Sequence, residues 1–145
     1  MHPPEFDTAE CISLVTLRRD GTEVATPVWF VAWQGLLCLR TAAHFGKVRR
    51  LRNNPAVRYA PCDWHGSVNG PWLQGTAELI VASDARAAVI DRLLDEKYGE
   101  RRAAMSRLMV AEGMQAVFVA IRPDAASARS SPCALHEVDP GYRGF

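Results

Sequence analysis

Between residues 10 and 41 the chain carries three runs of strand-forming residues, joined by turns too short for anything but antiparallel neighbours. Glu10 to Leu17 is rich in Ile, Leu, Val and Thr, and Asp20-Gly21 supplies a tight hairpin. In the second run, Glu23 to Trp33, Val24, Thr26, Val28 and Phe30 alternate with Ala25, Pro27, Trp29 and Val31, so both faces of this strand are covered. Gln34-Gly35 then turns the chain into the run Leu36 to Thr41. Such a meander argues against a doubly wound parallel sheet, which needs a helical crossover between successive strands.

After Thr41 the period changes. From Phe45 to Asn54, Val48 and Leu51 recur three apart among basic residues until Asn53-Asn54-Pro55, which predicts a short helix with one apolar stripe. Ala56 to Cys62 and Trp72 to Ala82 read as strands, separated by a loop holding Gly66, Asn69, Gly70 and Pro71. Ser83 can cap a helix whose stripe is Val89, Ile90, Leu93, Leu94 and Tyr98, and Gly99 ends it. A second helix is expected from about Arg101 to Glu112, then a strand from Gln115 to Arg122 ended by Pro123. Six mostly consecutive strands with flanking helices predict a mainly β, small antiparallel barrel. The 145 residues form one domain, with a core of about residues 9–123 and an irregular tail over 124–145.

Charge narrows the function. The net charge is +1, which gives no global attraction to nucleic acid or anionic lipid. Yet from Val24 to Cys62 there is no Asp or Glu, while Arg40, Lys47, Arg49, Arg50, Arg52 and Arg58 give six positive charges. Lys47 and Arg50 lie three apart on the predicted helix, and Gly46 before them permits close backbone approach. Helix N-terminal amides with a lysine in the first turn suit an anion such as a phosphate, and His44 borders that position. Pro27 has no N–H for a ladder bond, which predicts an edge, a bulge or a place where a ligand replaces a neighbouring strand.

Other chemistries lack their residues. The phosphate-loop, dinucleotide, zinc-protease and nucleophile-elbow motifs do not occur. Cys11, Cys38, Cys62 and Cys133 are widely spaced and read as reduced thiols, and Cys62-Asp63-Trp64-His65 lacks the distant ligand that a closed metal site needs. His2, His44, His65 and His136 are scattered, and the acids from Asp84 to Glu100 read as a solvated helix face, so no catalytic residue is assigned. An enzyme built this way draws its reactive group from a cofactor. No run approaches the ~20 apolar residues of a membrane span, and the first residues have no apolar core of a signal peptide, so the expectation is a soluble cytoplasmic protein.

An ordered set of motifs carries a resemblance: Ile12 to Thr22, Ala25-Thr26-Pro27-Val28-Trp29, Gly46 to Pro55, Ala60-Pro61-Cys62-Asp63 and Gly70 to Ala77. Over about residues 10–122 the chain resembles the pyridoxamine-5'-phosphate-oxidase-like flavin/deazaflavin oxidoreductases, in the subgroup of probable coenzyme F420-dependent enzymes. The resemblance implies an FMN-binding split barrel, a six-stranded antiparallel split β-barrel, forming a homodimer with cofactors in grooves at the subunit interface. It implies that the segment Arg40 to Lys47 holds the cofactor phosphate, with Lys47 foremost and Arg50 one turn on. The ring system would lie along Pro27, Val28 and Trp29, with backbone contacts near Thr41 and Ala42. The implied activity is hydride transfer between F420, or alternatively FMN, and a small unsaturated molecule. The alternative is a non-catalytic barrel that sequesters a flavin, a haem-like molecule or another anionic ligand. Some members have a further basic residue where Phe45 stands here, and the expected residue set of a true pyridoxamine phosphate oxidase is missing.

Overall fold

The computed structural model describes residues 2–124 and 137–138. A short 3-10 turn, Pro4–Phe6, precedes β1 (Cys11–Leu17), β2 (Glu23–Val28), β3 (Val31–Trp33), β4 (Leu36–Ala42), α1 (Gly46–Asn53), β5 (Ala56–Cys62), β6 (Leu73–Val81), α2 (Ala85–Tyr98), α3 (Glu100–Ala111), β7 (Ala116–Pro123) and β8 (Glu137–Val138). The strands form one sheet in the order β3-β4-β7-β6-β5-β1-β2-β8, antiparallel throughout except for β8, which runs parallel to β2. Ile12, Leu14, Val28, Leu37, Leu39, Val57, Tyr59, Leu73, Ala77, Val119 and Ile121 meet in one buried cluster. A sheet whose inner residues from both halves converge on one core is rolled, and its two ends, β3 and β8, are not paired to each other. This is the expected mainly β split barrel.

The strand count differs from the six expected. The run Glu23 to Trp33 breaks at Trp29-Phe30 into β2 and β3. The cause comes from α2: the amide of Phe30 donates to the Tyr98 hydroxyl at 2.9 Å, and its carbonyl accepts from Lys97 Nζ at 2.9 Å. Groups bonded to a helix side chain are withdrawn from the ladder. The tail adds β8, pairing with Val24 and Ala25, where irregular chain was expected. The rest of the expected tail, residues 125–136 and 139–145, lies outside the described residues.

α1 packs on β1 and β6, and α2 packs on β3, β4 and β6 and against α3. Val48 and Leu51 of α1 are buried as their spacing predicts. In α2 the buried stripe is Ala87, Ile90, Leu94 and Tyr98, whereas Val89 and Leu93 are half-buried at its border. Asp84, not Ser83, caps this helix by accepting from the amide of Arg86 at 2.8 Å. Gly99, at φ 60°, breaks the chain between α2 and α3, a conformation that disfavours a side chain. Asp91 and Asp95, on the solvated face as expected, also accept from the two guanidinium nitrogens of buried Arg102, which fastens α3 to α2.

Candidate functional site

The N-terminus of α1 is built without a side-chain cap. Phe45, extended at φ −69° and ψ 150°, occupies the capping position; its carbonyl accepts from the Val48 amide, but its side chain has no oxygen to offer the amides of Gly46 and Lys47. These amides and the helix dipole therefore favour an anion at this end. Lys47, in that first turn, points inward and is 1% exposed, with its Nζ 4.8 Å from the centroid of the Phe45 ring. His44 packs its ring against the same phenyl at 5.0 Å. Arg50 reaches β1, where its Nε donates to Thr16 Oγ1 at 2.6 Å. Its guanidinium folds back over Gly46, so closely that a Cβ at that position would lie 2.8 Å from Nη1.

Along one face of this helix, from Gly46 to Asn53, runs an open groove of about 420 Å³, lined by Arg18, Arg19, Gly46, Arg49, Arg50 and Asn53. Four guanidinium groups line the groove without a carboxylate among them. Arg18 and Arg19 were missed as site residues, because in sequence they belong to a hairpin turn and lie outside the acid-free stretch. Their signal was available only through packing: α1 rests on β1, and the turn that follows β1 is thereby brought beside the helix. Lys47 and Arg50, expected to share one face, have separate surroundings, with Lys47 inside and Arg50 lining the groove.

The other predicted residues divide between backbone and side-chain roles. Pro27 opposes Ser13 of β1, and β8 pairs only with Val24 and Ala25, so among the described residues the outer edge of β2 at Pro27 is unpaired. Gly66 (φ 92°) approaches Pro27 so closely that an added Cβ would lie 3.3 Å from the proline ring. The side chain of Val28 belongs to the barrel core, and Trp29 stacks on Tyr98 with centroids 4.9 Å apart. Thr41 and Ala42 are buried at the end of β4, and Thr41 Oγ1 has no hydrogen-bond partner among the described residues. The same holds for Thr26 Oγ1, a diagonal neighbour of Thr16 on the strand face that Arg50 reaches. Arg40 turns away from the groove, giving hydrogen bonds to Asp91 Oδ1 at 3.4 Å and Ser106 Oγ at 2.8 Å.

The remaining chemistry-bearing groups have structural work. Asp63 organises its loop by accepting from the amides of His65 at 2.8 Å and Ser67 at 3.0 Å. Burial pushes the thiols of Cys38 and Cys62 up to about 12, which leaves neither as a nucleophile near neutrality. Among the described residues no three His, Cys, Asp or Glu side chains are grouped to hold a metal ion, and no helix is long and apolar enough to cross a membrane.

No protein-family profile matches the chain, and comparison with curated protein sequences finds no match. Solved structures do share its fold. A haem storage protein from Vibrio cholerae superposes with a TM-score of 0.67 at 15% identity, covering 86% of this chain and 89% of that one. An F420 reductase superposes at 0.56 with 19% identity, covering 90% and 100%. A pyridoxamine 5'-phosphate oxidase-related, FMN binding protein from Nostoc punctiforme gives 0.52 at 13% identity, covering 82% and 74%.

Proposed function

We propose that this chain, on a split-barrel fold it shares with FMN-binding and F420-using proteins, binds a flavin-type cofactor and transfers a hydride between it and a small unsaturated molecule. The observation that carries the reading is the uncapped α1 N-terminus flanked by Lys47, Arg50 and a groove of arginines. That donor set suits a phosphate: backbone amides, one ammonium and forked guanidinium groups, with no carboxylate among the groove-lining residues to repel it. The unpartnered buried hydroxyls of Thr26 and Thr41 add polar atoms that a ligand can satisfy. F420 is the preferred cofactor, because its longer acidic tail makes use of Arg18, Arg19 and Arg49, and FMN is the alternative.

The bound cofactor supplies the hydride chemistry through its tricyclic ring. The protein's part is binding and placement. Lys47 and the α1 amides would hold the phosphate, together with Arg50, which is steadied by Thr16. The backbone of Pro27, Val28 and Trp29, with that of Thr41 and Ala42, lines the ring. Pairing as a cytoplasmic homodimer would cover the open edge of β2 and exclude water from the ring.

A second reading rests on the haem storage protein of the same fold: a barrel that holds an anionic ligand without turning it over. The two separate in one experiment. The protein loaded with reduced F420, and separately with reduced FMN, is mixed with a panel of activated alkenes, quinones and nitroaromatics. Enzyme-dependent cofactor oxidation with stoichiometric product supports the oxidoreductase; tight binding with no oxidation above the protein-free rate selects the storage reading.

A further inference from the structure

The break between β2 and β3 follows directly on Pro27-Val28-Trp29, and both of its residues are held by the last turn of α2. The Tyr98 hydroxyl accepts the Phe30 amide at 2.9 Å and lies 2.7 Å from the Glu10 carbonyl, to which it donates. Lys97 Nζ donates to the Phe30 carbonyl at 2.9 Å and sits 3.5 Å from the centroid of the Phe30 ring. The Tyr98 ring stacks on Trp29 at 15°. Thus two consecutive helix residues satisfy both backbone groups of Phe30 and fix the indole before it. Without them the simplest fate of Trp29-Phe30 is to continue the strand, which would carry Trp29 and the residues before it to a different position.

We propose that Lys97 and Tyr98 are positioning residues for the cofactor-binding segment, a clamp that sets the place of Pro27, Val28 and Trp29 without touching the ring itself. This rests on the proposed assignment of that segment to the cofactor. The clamp is rigid where it must be: Tyr98 and Phe30 are buried, and Gly99 ends α2 immediately beyond it. It is also independent of the phosphate end, since Lys47, Arg50 and the groove arginines lie on other elements.

The test uses the full chain and the variants Tyr98→Phe, Lys97→Met and Lys97→Arg, each checked for folding by circular dichroism and melting. Amide hydrogen exchange reads the clamp at Phe30, and fluorescence titration with F420 and with FMN reads its effect. Tyr98→Phe and Lys97→Met should lower Phe30 protection and weaken cofactor binding at least about fivefold, as loss of a buried or charged hydrogen bond does. Lys97→Arg should restore both, and competition by inorganic phosphate should be unchanged in all three. Should Tyr98→Phe not fold, the Met and Arg variants at position 97 decide. Faster exchange at Phe30 with unchanged cofactor affinity would overturn the positioning role, and unchanged exchange would overturn the clamp. A wild-type chain that binds neither cofactor overturns the proposed function and this role with it, whereas wild-type binding with indifferent variants overturns the clamp alone.

Discussion

Replacing Tyr98 by Phe removes one oxygen and leaves the ring, so the cost can be worked from the contacts of that oxygen. Two backbone groups depend on it: the buried Phe30 amide loses its acceptor, and the part-buried Glu10 carbonyl loses its donor. A buried amide left unsatisfied costs roughly 1–3 kcal/mol, and the net worth of a made bond is about 1 kcal/mol, so the variant should lose about 2–3 kcal/mol. At this chain length each kcal/mol moves Tm by about 2–4 °C, which predicts a fall of about 5–10 °C. Stacking on Trp29 is retained, so Tyr98→Leu should lose about 1 kcal/mol more. Differential scanning calorimetry with a urea series reads both, with the slope m unchanged. A Tm for Tyr98→Phe within about 1 °C of wild type would show instead that water replaces the hydroxyl at little cost and that these two bonds do not hold the segment.

Four further outcomes are expected. Gly46→Ala should leave Tm unchanged or slightly raised while weakening phosphate competition several-fold, because the new Cβ displaces the Arg50 guanidinium and not the backbone; titration against the melting curve checks it. Arg40→Met should lower stability by about 1–2 kcal/mol through its lost bonds to Asp91 and Ser106, yet leave cofactor affinity within about twofold. The double variant Arg18→Ala, Arg19→Ala should flatten the salt dependence of F420 binding more than that of FMN, as isothermal titration at several salt concentrations reads. Burial lowers Lys97 to about 8 from the ordinary 10.5, so between those values the unfolded chain holds a proton that the folded chain has given up. Folding stability should therefore rise with pH across that window in the wild type relative to Lys97→Met, measured by urea unfolding.

The fold class was readable because the strand periods are clear and hairpin turns at Asp20-Gly21 and Gln34-Gly35 fix antiparallel neighbours locally, whereas the pairings of β1 with β5 and β4 with β7 join segments far apart in sequence. The β2–β3 break was not readable, because its cause, Lys97 and Tyr98, lies 67 and 68 residues away along the chain. The site was legible in part for a similar reason. The acid-free stretch pointed to α1, where Lys47 stands in the first turn and the Arg50 guanidinium folds back over Gly46. Arg18 and Arg19 join them only through the packing of α1 on β1. Arg40 shows the opposite case: its place in the basic run suggested the groove, but strand alternation turns it towards the carboxylate of Asp91, which no local pattern announces.

The central claim is that the α1 N-terminus holds the phosphate of a flavin-type cofactor, and the direct test is equilibrium titration of apo protein with F420 and with FMN, in parallel with Lys47→Ala. Saturable binding of one cofactor is expected, with Lys47→Ala weaker by about 1.5–3 kcal/mol, roughly a ten- to hundredfold rise in Kd. Binding of neither cofactor, or equal affinity in wild type and variant, would contradict it.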